Sequence, residues 1–127
     1  MSPTQRSLKK LRDDGWPLVS VVEYYNYWTK RRHDLFGIID ILAVGPKGTL
    51  AVQATGGGNG SARVKKIEES GIVPTLNAAG WEICVHDWRK LVVTRGKPMK
   101  RWNCKLIVVG KSKKVMLNRE RIRNNML

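Results

Sequence analysis

Residues 37–55 read GIIDILAVGPKGTLAVQAT, and this stretch decides the fold. Two apolar runs, residues 36–44 and 49–55, flank a four-residue loop that has glycine at both ends. Apolar runs of this length around a short glycine-containing loop predict a β-hairpin. One acid, Asp40, interrupts the first run, and a polar pair, Gln53 and Thr55, ends the second.

The register of this hairpin pairs Asp40 with Gln53. If Val44 and Thr49 close the loop, paired residue numbers sum to 93, and Asp40 falls opposite Gln53. Directly opposed side chains have Cβ atoms about 5 Å apart on one face of the sheet, so their oxygens could share one cation. Thr55 follows Gln53 on the same face. A slip of one residue would separate Asp40 from Gln53.

Asp40 is an unusual residue for its position. Strands disfavour Asp, and a charge among isoleucine and leucine side chains is costly to bury. We therefore expect Asp40 to be functional; the alternative is a buried acid that is hydrogen bonded to its neighbours. Mg²⁺ keeps several waters and takes further oxygens from substrate phosphates, so one carboxylate and one amide carbonyl could hold it.

The rest of the pattern predicts an α/β (α+β) domain over residues 1–110, a single mixed sheet with an αβββαβ core and flanking helices. We expect helices over residues 3–12 and 61–70 and a further helical turn over 74–80. Strands are expected over residues 17–28, 81–88 and 102–109, with residues 30–34 as a polar connection. Residues 111–127 are expected to form a basic tail or helix.

The aromatic residues have two interpretations, core packing and stacking on unpaired bases. We assign Trp16, Trp81 and Trp88 to the core, and Trp102 is the first candidate for stacking. Core packing of a strand is also expected to explain most of a tyrosine and tryptophan run: Tyr24, Tyr25, Tyr27 and Trp28.

Basic residues concentrate in the C-terminal third of the chain. Residues 1–88 contain 11 Lys and Arg against 9 Asp and Glu, whereas residues 89–127 contain 13 against 1. Such a block repels itself unless a polyanion neutralises it, and nucleic acid is the commonest polyanion in cells. A basic surface that binds nothing is the alternative.

The remaining composition indicates a cytoplasmic protein. Cys84 and Cys104 lack metal-ligand spacing, and we expect both to be reduced core thiols. Every apolar run is too short to span a bilayer, and the first residues lack the apolar core of an export signal. We expect an intracellular protein, associated with the nucleoid if it binds DNA.

The hairpin resembles the core of the PD-(D/E)XK nucleases, the restriction-endonuclease-like fold shared by Holliday-junction resolvases and VRR-Nuc domains. The family pattern is Gly-x-x-Asp on an apolar strand, a turn, and an apolar strand that ends in Glu or Gln, any residue and Lys. Gly37, Asp40 and Gln53 match it, and the elements expected over residues 2–88 follow the family's order. The resemblance implies a metal-dependent phosphodiesterase fold with Asp40 and Gln53 at the metal.

The chain departs from that pattern at two positions. Gln53 replaces the commoner Glu, as it does in VRR-Nuc members. Thr55 stands where the family has Lys, and a hydroxyl cannot supply the charge that orients the attacking water and stabilises the phosphate. Lys65 or Lys66 on the following helix could replace it, unless both are solvent-facing charges. Glu23 is the best additional metal ligand, with an ion pair to Lys or Arg as its alternative.

Together these features predict a Mg²⁺- or Mn²⁺-dependent DNA endonuclease, selective for branched DNA, with Asp40, Gln53, Glu23 and Lys65 as its catalytic residues. The main alternative is an inactive nuclease-fold protein that binds nucleic acid, DNA in preference to RNA; an RNA-binding accessory factor is a third. A homodimer is expected by analogy with resolvases.

Basic and polar residues, together with backbone amides at the helix start after the glycine loop, are expected to bind the nucleic-acid backbone. These residues are Lys30, Arg31, Arg32, His33, Ser61, Arg63, Lys66, Lys100, Arg101, Lys111, Lys113 and Lys114.

Overall fold

A computed structural model describes residues 1–110, which form one small α+β domain. Its elements in chain order are α1 (Pro3–Asp13), β1 (Leu18–Val21), β2 (Tyr24–Asn26), β3 (Arg31–His33), β4 (Ile41–Gly45), β5 (Gly48–Gly56), α2 (Gly60–Glu69), α3 (Val73–Ala78), β6 (Trp81–Val92) and β7 (Lys100–Val109). Five strands form a mixed sheet in the order β1-β4-β5-β6-β7, and β2 and β3 pair with each other. The predicted mixed sheet with flanking helices is therefore confirmed.

Helices cover both faces of the sheet, because alternate residues of its central strands are apolar on each side. On one face, Leu8 and Leu11 of α1 pack against a cluster that includes Val52. On the other face, Ile67 of α2 packs against a cluster that includes Ala51. Among residues 1–110, no helix has the length and apolar character needed to cross a lipid bilayer.

The β4–β5 hairpin has the predicted register, with Val44 opposite Thr49. Gly45 also pairs with Gly48, so the connection is a two-residue turn. Gly48 has a φ of +133°, a conformation that residues with a side chain rarely adopt. The ladder ends where Ile41 pairs with Val52, one residue before the predicted pair of Asp40 and Gln53.

The region before this hairpin differs from the prediction. The strand expected over residues 17–28 is wrong, because β1 ends at Val21 and a separate strand, β2, pairs with β3. Residues 31–33, expected in a polar connection, form β3. The strand expected from residue 36 begins only at Ile41. The predicted basic tail, with Lys111, Lys113 and Lys114, lies outside the described residues.

Asp87 fixes the glycine loop that leads into α2. Its fully buried carboxylate accepts hydrogen bonds from the backbone N–H groups of Gly58, at 3.3 Å, and Gly60, at 3.2 Å. A Cβ atom at Gly60 would lie 2.7 Å from Ile107 Cδ1 and 3.0 Å from this carboxylate, so a side chain there would force both neighbours to shift. Two of the amides expected to bind a DNA phosphate are thus already bonded to Asp87, and that expectation is corrected for them.

We predict that Asp87→Ala lowers the free energy of unfolding by about 2–4 kcal/mol, because buried donors lose their acceptor and Arg89, 3.2 Å away, loses its ion-pair partner. Urea denaturation measures the loss. Asp13→Ala removes an exposed acid of α1 and is expected to change stability by less than about 1 kcal/mol. Equal losses in the two variants would contradict the anchoring role of Asp87.

Candidate metal centre

Three carboxylates, those of Glu23, Asp34 and Asp40, meet just before the start of β4. One oxygen from each lies within 4.8 Å of the others. Carboxylate oxygens are the ligands preferred by Mg²⁺, Mn²⁺ and Ca²⁺. Asp40 is buried, whereas Glu23 and Asp34 are half-buried, so the cluster can be reached from solvent.

Backbone pairing brings these acids together from three separate segments. Glu23 and Asp34 each lie one residue beyond the pair of Tyr24 and His33, which is the last pair at the base of the β2–β3 hairpin. Asp34 and Asp40 each lie one residue outside an isolated bridge between residues 35 and 39. Successive pairs in a ladder are neighbours in space, so both pairings place the acids side by side.

The loop between Asp34 and Asp40 turns sharply. Phe36 and Gly37 have φ angles of 54° and 80° in the left-handed region, which glycine adopts freely and Phe does not. The Gly37 N–H donates to the Asp34 carbonyl at 2.8 Å and closes the turn. Gly37, which matches the family pattern, thus lets the chain reverse between two of the acids.

Asp40 is fixed by its backbone and by its side chain. Its N–H donates to the Val52 carbonyl at 3.0 Å, and its carbonyl accepts from Val22 at 2.8 Å. Its carboxylate accepts from the Ala54 N–H at 2.9 Å. Asp40 therefore bonds to the residues on both sides of Gln53.

Gln53 is the buried polar residue next to this contact. Its side chain is on the face of β5 that also carries Ala51, and only 3% of the residue is exposed. Within residues 1–110, its amide oxygen Oε1 has no hydrogen-bond partner. A buried carbonyl oxygen without a donor is unfavourable, and a cation within reach of this oxygen would satisfy it.

The pKa of Asp40 is raised from 3.8 to about 7. Burial is the main cause; the Ala54 N–H acts in the opposite direction, and the charge and hydrogen bond of Asp34 and the charge of Glu23 add to the rise. The cluster therefore keeps a proton near neutral pH. A divalent cation would displace this proton, since metal binding requires the ionised carboxylate.

Glu23 also has the ion pair given as its alternative. Arg32 Nη1 lies 3.9 Å from Glu23 Oε1, and 76% of the Arg32 side chain is exposed. A pair of this length with an exposed arginine contributes little to stability. Its effect on the site is to put a positive charge at the edge of the acidic cluster.

Among the predicted catalytic residues, the structure thus brings together the carboxylates of Asp40 and Glu23, and Gln53 lies in β5 between the two residues that bond to Asp40. Lys65 instead forms an exposed ion pair with Glu69 at 3.9 Å on the surface of α2. Sequence reasoning missed Asp34, which it included in a polar connection. No local signal identifies it, because its place in the cluster depends on two backbone pairings outside the main sheet.

Lysines of α2 border the loop that carries the acids. Lys65 and Lys66 line a shallow groove of about 550 Å³ together with Gly37 and Ile38. Thr55 is buried on β5, where it pairs with Asp87 of β6. The replacement of the missing lysine by Lys65 or Lys66 stays a prediction.

The residues expected to bind nucleic acid are mostly exposed. This holds for Lys30, Arg31, Arg32, Ser61, Lys66, Lys100 and Arg101, whereas His33 and Arg63 are half-buried. His33 stacks on Tyr24 with 5.5 Å between ring centroids. The Trp102 ring, first candidate for stacking, is partly covered by the Arg6 guanidinium 3.7 Å from its centroid.

Comparison with known proteins identifies no relative. No family model, curated protein or solved structure matches this chain. The resemblance to PD-(D/E)XK nucleases therefore stays a prediction that rests on the motif residues.

We predict that the stability of the metal-free protein falls as pH rises from about 4 to about 7. The folded state keeps the Asp40 proton up to a pKa of about 7, whereas the unfolded chain releases it near the ordinary value of 3.8. Ionisation in this window therefore favours unfolding. Asp40→Asn has no proton to lose at this position. Its free energy of unfolding is therefore expected to rise relative to that of the wild type by a few kcal/mol between pH 4 and pH 8.

Urea denaturation in EDTA across this pH range measures that difference. The matched control is Asp13→Asn, whose difference from the wild type should be much less dependent on pH. A constant difference between Asp40→Asn and the wild type would contradict the protonated cluster.

We also predict that Gln53→Met weakens metal binding without destabilising the metal-free protein. Methionine fills a similar volume and removes the unpaired buried oxygen, so stability should be unchanged or higher. Mn²⁺ should raise the melting temperature of Gln53→Met less than that of the wild type, by the amount expected for an affinity for Mn²⁺ that is about 10-fold weaker. Gln5→Met on exposed α1 should keep the full rise. A full rise in Gln53→Met would exclude its oxygen as a ligand.

Proposed function

We propose that this protein is a Mg²⁺- or Mn²⁺-dependent nuclease that hydrolyses phosphodiester bonds in DNA. The observation that carries the proposal is the meeting of Glu23, Asp34 and Asp40, with ligand atoms within 4.8 Å of one another. Such a set leaves coordination positions for waters and a substrate phosphate. The resemblance to PD-(D/E)XK nucleases assigns the metal to the same Asp40, next to Gln53.

The chemistry requires positive charge beside the reacting phosphate. A water oxygen bonds to phosphorus and gives up one proton to solvent or to a basic side chain, while the bond to the leaving sugar oxygen breaks. Negative charge builds on the phosphate and on the leaving oxygen, which takes up a proton. When bound, the divalent ion supplies part of the opposing charge. Glu23, Asp34 and Asp40 would hold it by carboxylate oxygens and Gln53 by its amide oxygen.

Arg32 can supply further charge. Thr55 lacks the cation that the family has at its position, and Arg32 extends an exposed guanidinium 3.9 Å from Glu23. A guanidinium binds phosphate oxygens through two parallel N–H groups and stays charged at every working pH. We therefore assign this role to Arg32, with Lys65 as the alternative.

The charge of the surface supports nucleic acid as the substrate. Residues 89–110, which contain the last four residues of β6 and all of β7, have seven Lys or Arg and no Asp or Glu. Lys30 and Arg31 add exposed positive charge on the β2–β3 hairpin, whose base carries Glu23 and Asp34. Backbone phosphates bind such surfaces with little dependence on base sequence. A nuclease selective for DNA shape rather than sequence is the expected result.

One observation favours a second candidate, a DNA-binding protein that lacks catalysis. Thr55 occupies the position of the family's lysine and is buried. If no other cation takes over its role, the fold would hold DNA and metal without cleaving.

We predict that the wild-type protein with Mn²⁺ cleaves at least one of linear duplex, single-stranded and four-way-junction DNA. Asp34→Asn and Asp40→Asn should each reduce the rate at least about 100-fold, because a ligand charge is lost while the size of the side chain is kept. The same assay in EDTA should show no cleavage. Asp13→Asn, which changes an exposed acid of α1, should cleave like the wild type.

Two results would decide against this proposal. Cleavage that survives Asp40→Asn would reject the site. Binding of DNA by the wild type with no cleavage in Mg²⁺ or Mn²⁺ would support the second candidate instead. For an active protein, Arg32→Gln and Lys65→Gln identify the cation, and we expect the larger fall in rate for Arg32→Gln.

A further inference from the structure

The β2–β3 hairpin exposes its aromatic side chains. Trp28 is 96% exposed and Tyr27 is 83% exposed, and Tyr24 and Tyr25 are also exposed. The expectation that core packing explains most of these residues is therefore wrong. Within residues 1–110, β2 and β3 pair only with each other, and the aromatic rings of this two-stranded ribbon are left exposed.

The exposed tip is an ordered turn. The side-chain oxygen Oδ1 of Asn26 accepts from the Trp28 N–H at 2.9 Å and from the Thr29 N–H at 3.3 Å. Tyr25 packs edge-on against Tyr27 at 5.0 Å between ring centroids. The tip therefore fixes the backbone at Trp28, and the exposed indole ring is accessible to a ligand within the part of the chain that the structure describes.

The charge of the hairpin indicates what this ligand is. Residues 24–33 contain Lys30, Arg31 and Arg32 and no acid, so the aromatic rings are combined with three positive charges. A polyanion that also offers flat rings satisfies both features, and nucleic acid with unpaired bases is such a ligand. Bases within a duplex are already stacked and paired, and they cannot cover an indole face.

The position of the hairpin connects this ligand to the candidate metal centre. Glu23 directly precedes β2 and Asp34 directly follows β3, so the base of the hairpin carries two of the three acids. Arg32 of β3 also lies 3.9 Å from Glu23 across this hairpin. A strand that lies along the hairpin would thus pass from the aromatic tip to the acidic cluster.

We propose that the β2–β3 hairpin binds unpaired bases by stacking on Trp28 and Tyr27, and so selects DNA with a single-stranded segment, such as an end, a flap or an open junction. This inference rests on the proposed nuclease function for its biological use. Its test measures binding alone and is independent of cleavage.

The experiment is fluorescence anisotropy in EDTA with the full chain and labelled oligonucleotides of equal length, one single-stranded and one duplex. Trp28→Ala should weaken single-strand binding about 10-fold, as expected for loss of one stacked base, and duplex binding less than about 2-fold. Trp28→Phe should keep most of the affinity, whereas Trp28→Leu, apolar but without an aromatic face, should lose it. Leu18→Ala, which removes an exposed leucine of β1, should change neither.

Several results would overturn the inference. These are an equal loss on both oligonucleotides, no loss on either, or full single-strand affinity in Trp28→Leu. Trp28-dependent sedimentation with anionic phospholipid vesicles, or a dimer that Trp28→Ala dissociates, with oligonucleotide binding unchanged, would identify another occupant and equally overturn it. Failure of the nuclease proposal has a different readout. The wild type would then show no metal-dependent cleavage, or Asp40→Asn would leave that cleavage intact.

Discussion

The hydrogen bonds of Asp40 are the constraint on which the site depends. Its carbonyl is bonded to Val22 in the segment after β1, and its N–H and carboxylate are bonded to Val52 and Ala54 of β5. One residue therefore joins the start of the β2–β3 hairpin to the central strand of the sheet. The two half-buried acids take their positions relative to this fixed one.

The same contacts fix Asp40 in a place where its ionised form is unfavourable. Its backbone and one carboxylate oxygen are satisfied, but burial and two acidic neighbours disfavour its charge. Fixed carboxylates close together are costly to ionise without a cation. Repulsion among these carboxylates is unfavourable in the folded protein, and a divalent ion bound between them would relieve it.

Local signals were enough to predict the hairpin and the helices. The turn glycines at 45 and 48 determine the β4–β5 register. The spacing of Leu8 and Leu11, three residues apart on α1, predicts a helix that packs by one side. The acid Asp34 could not be found in this way, since its proximity to Asp40 and Glu23 depends on two pairings outside the main sheet. The aromatic run had the composition of a strand, but composition does not say whether a second layer covers that strand.

The self-paired hairpin has a consequence for the evolution of this protein. Because strand pairing repeats every two residues, a β-ribbon can lengthen or shorten by pairs of residues on each side while the residues at its base keep their partners. Glu23 and Asp34 occupy that base. The outer part of the ribbon can therefore change in length and sequence while Glu23 and Asp34 keep their positions relative to each other.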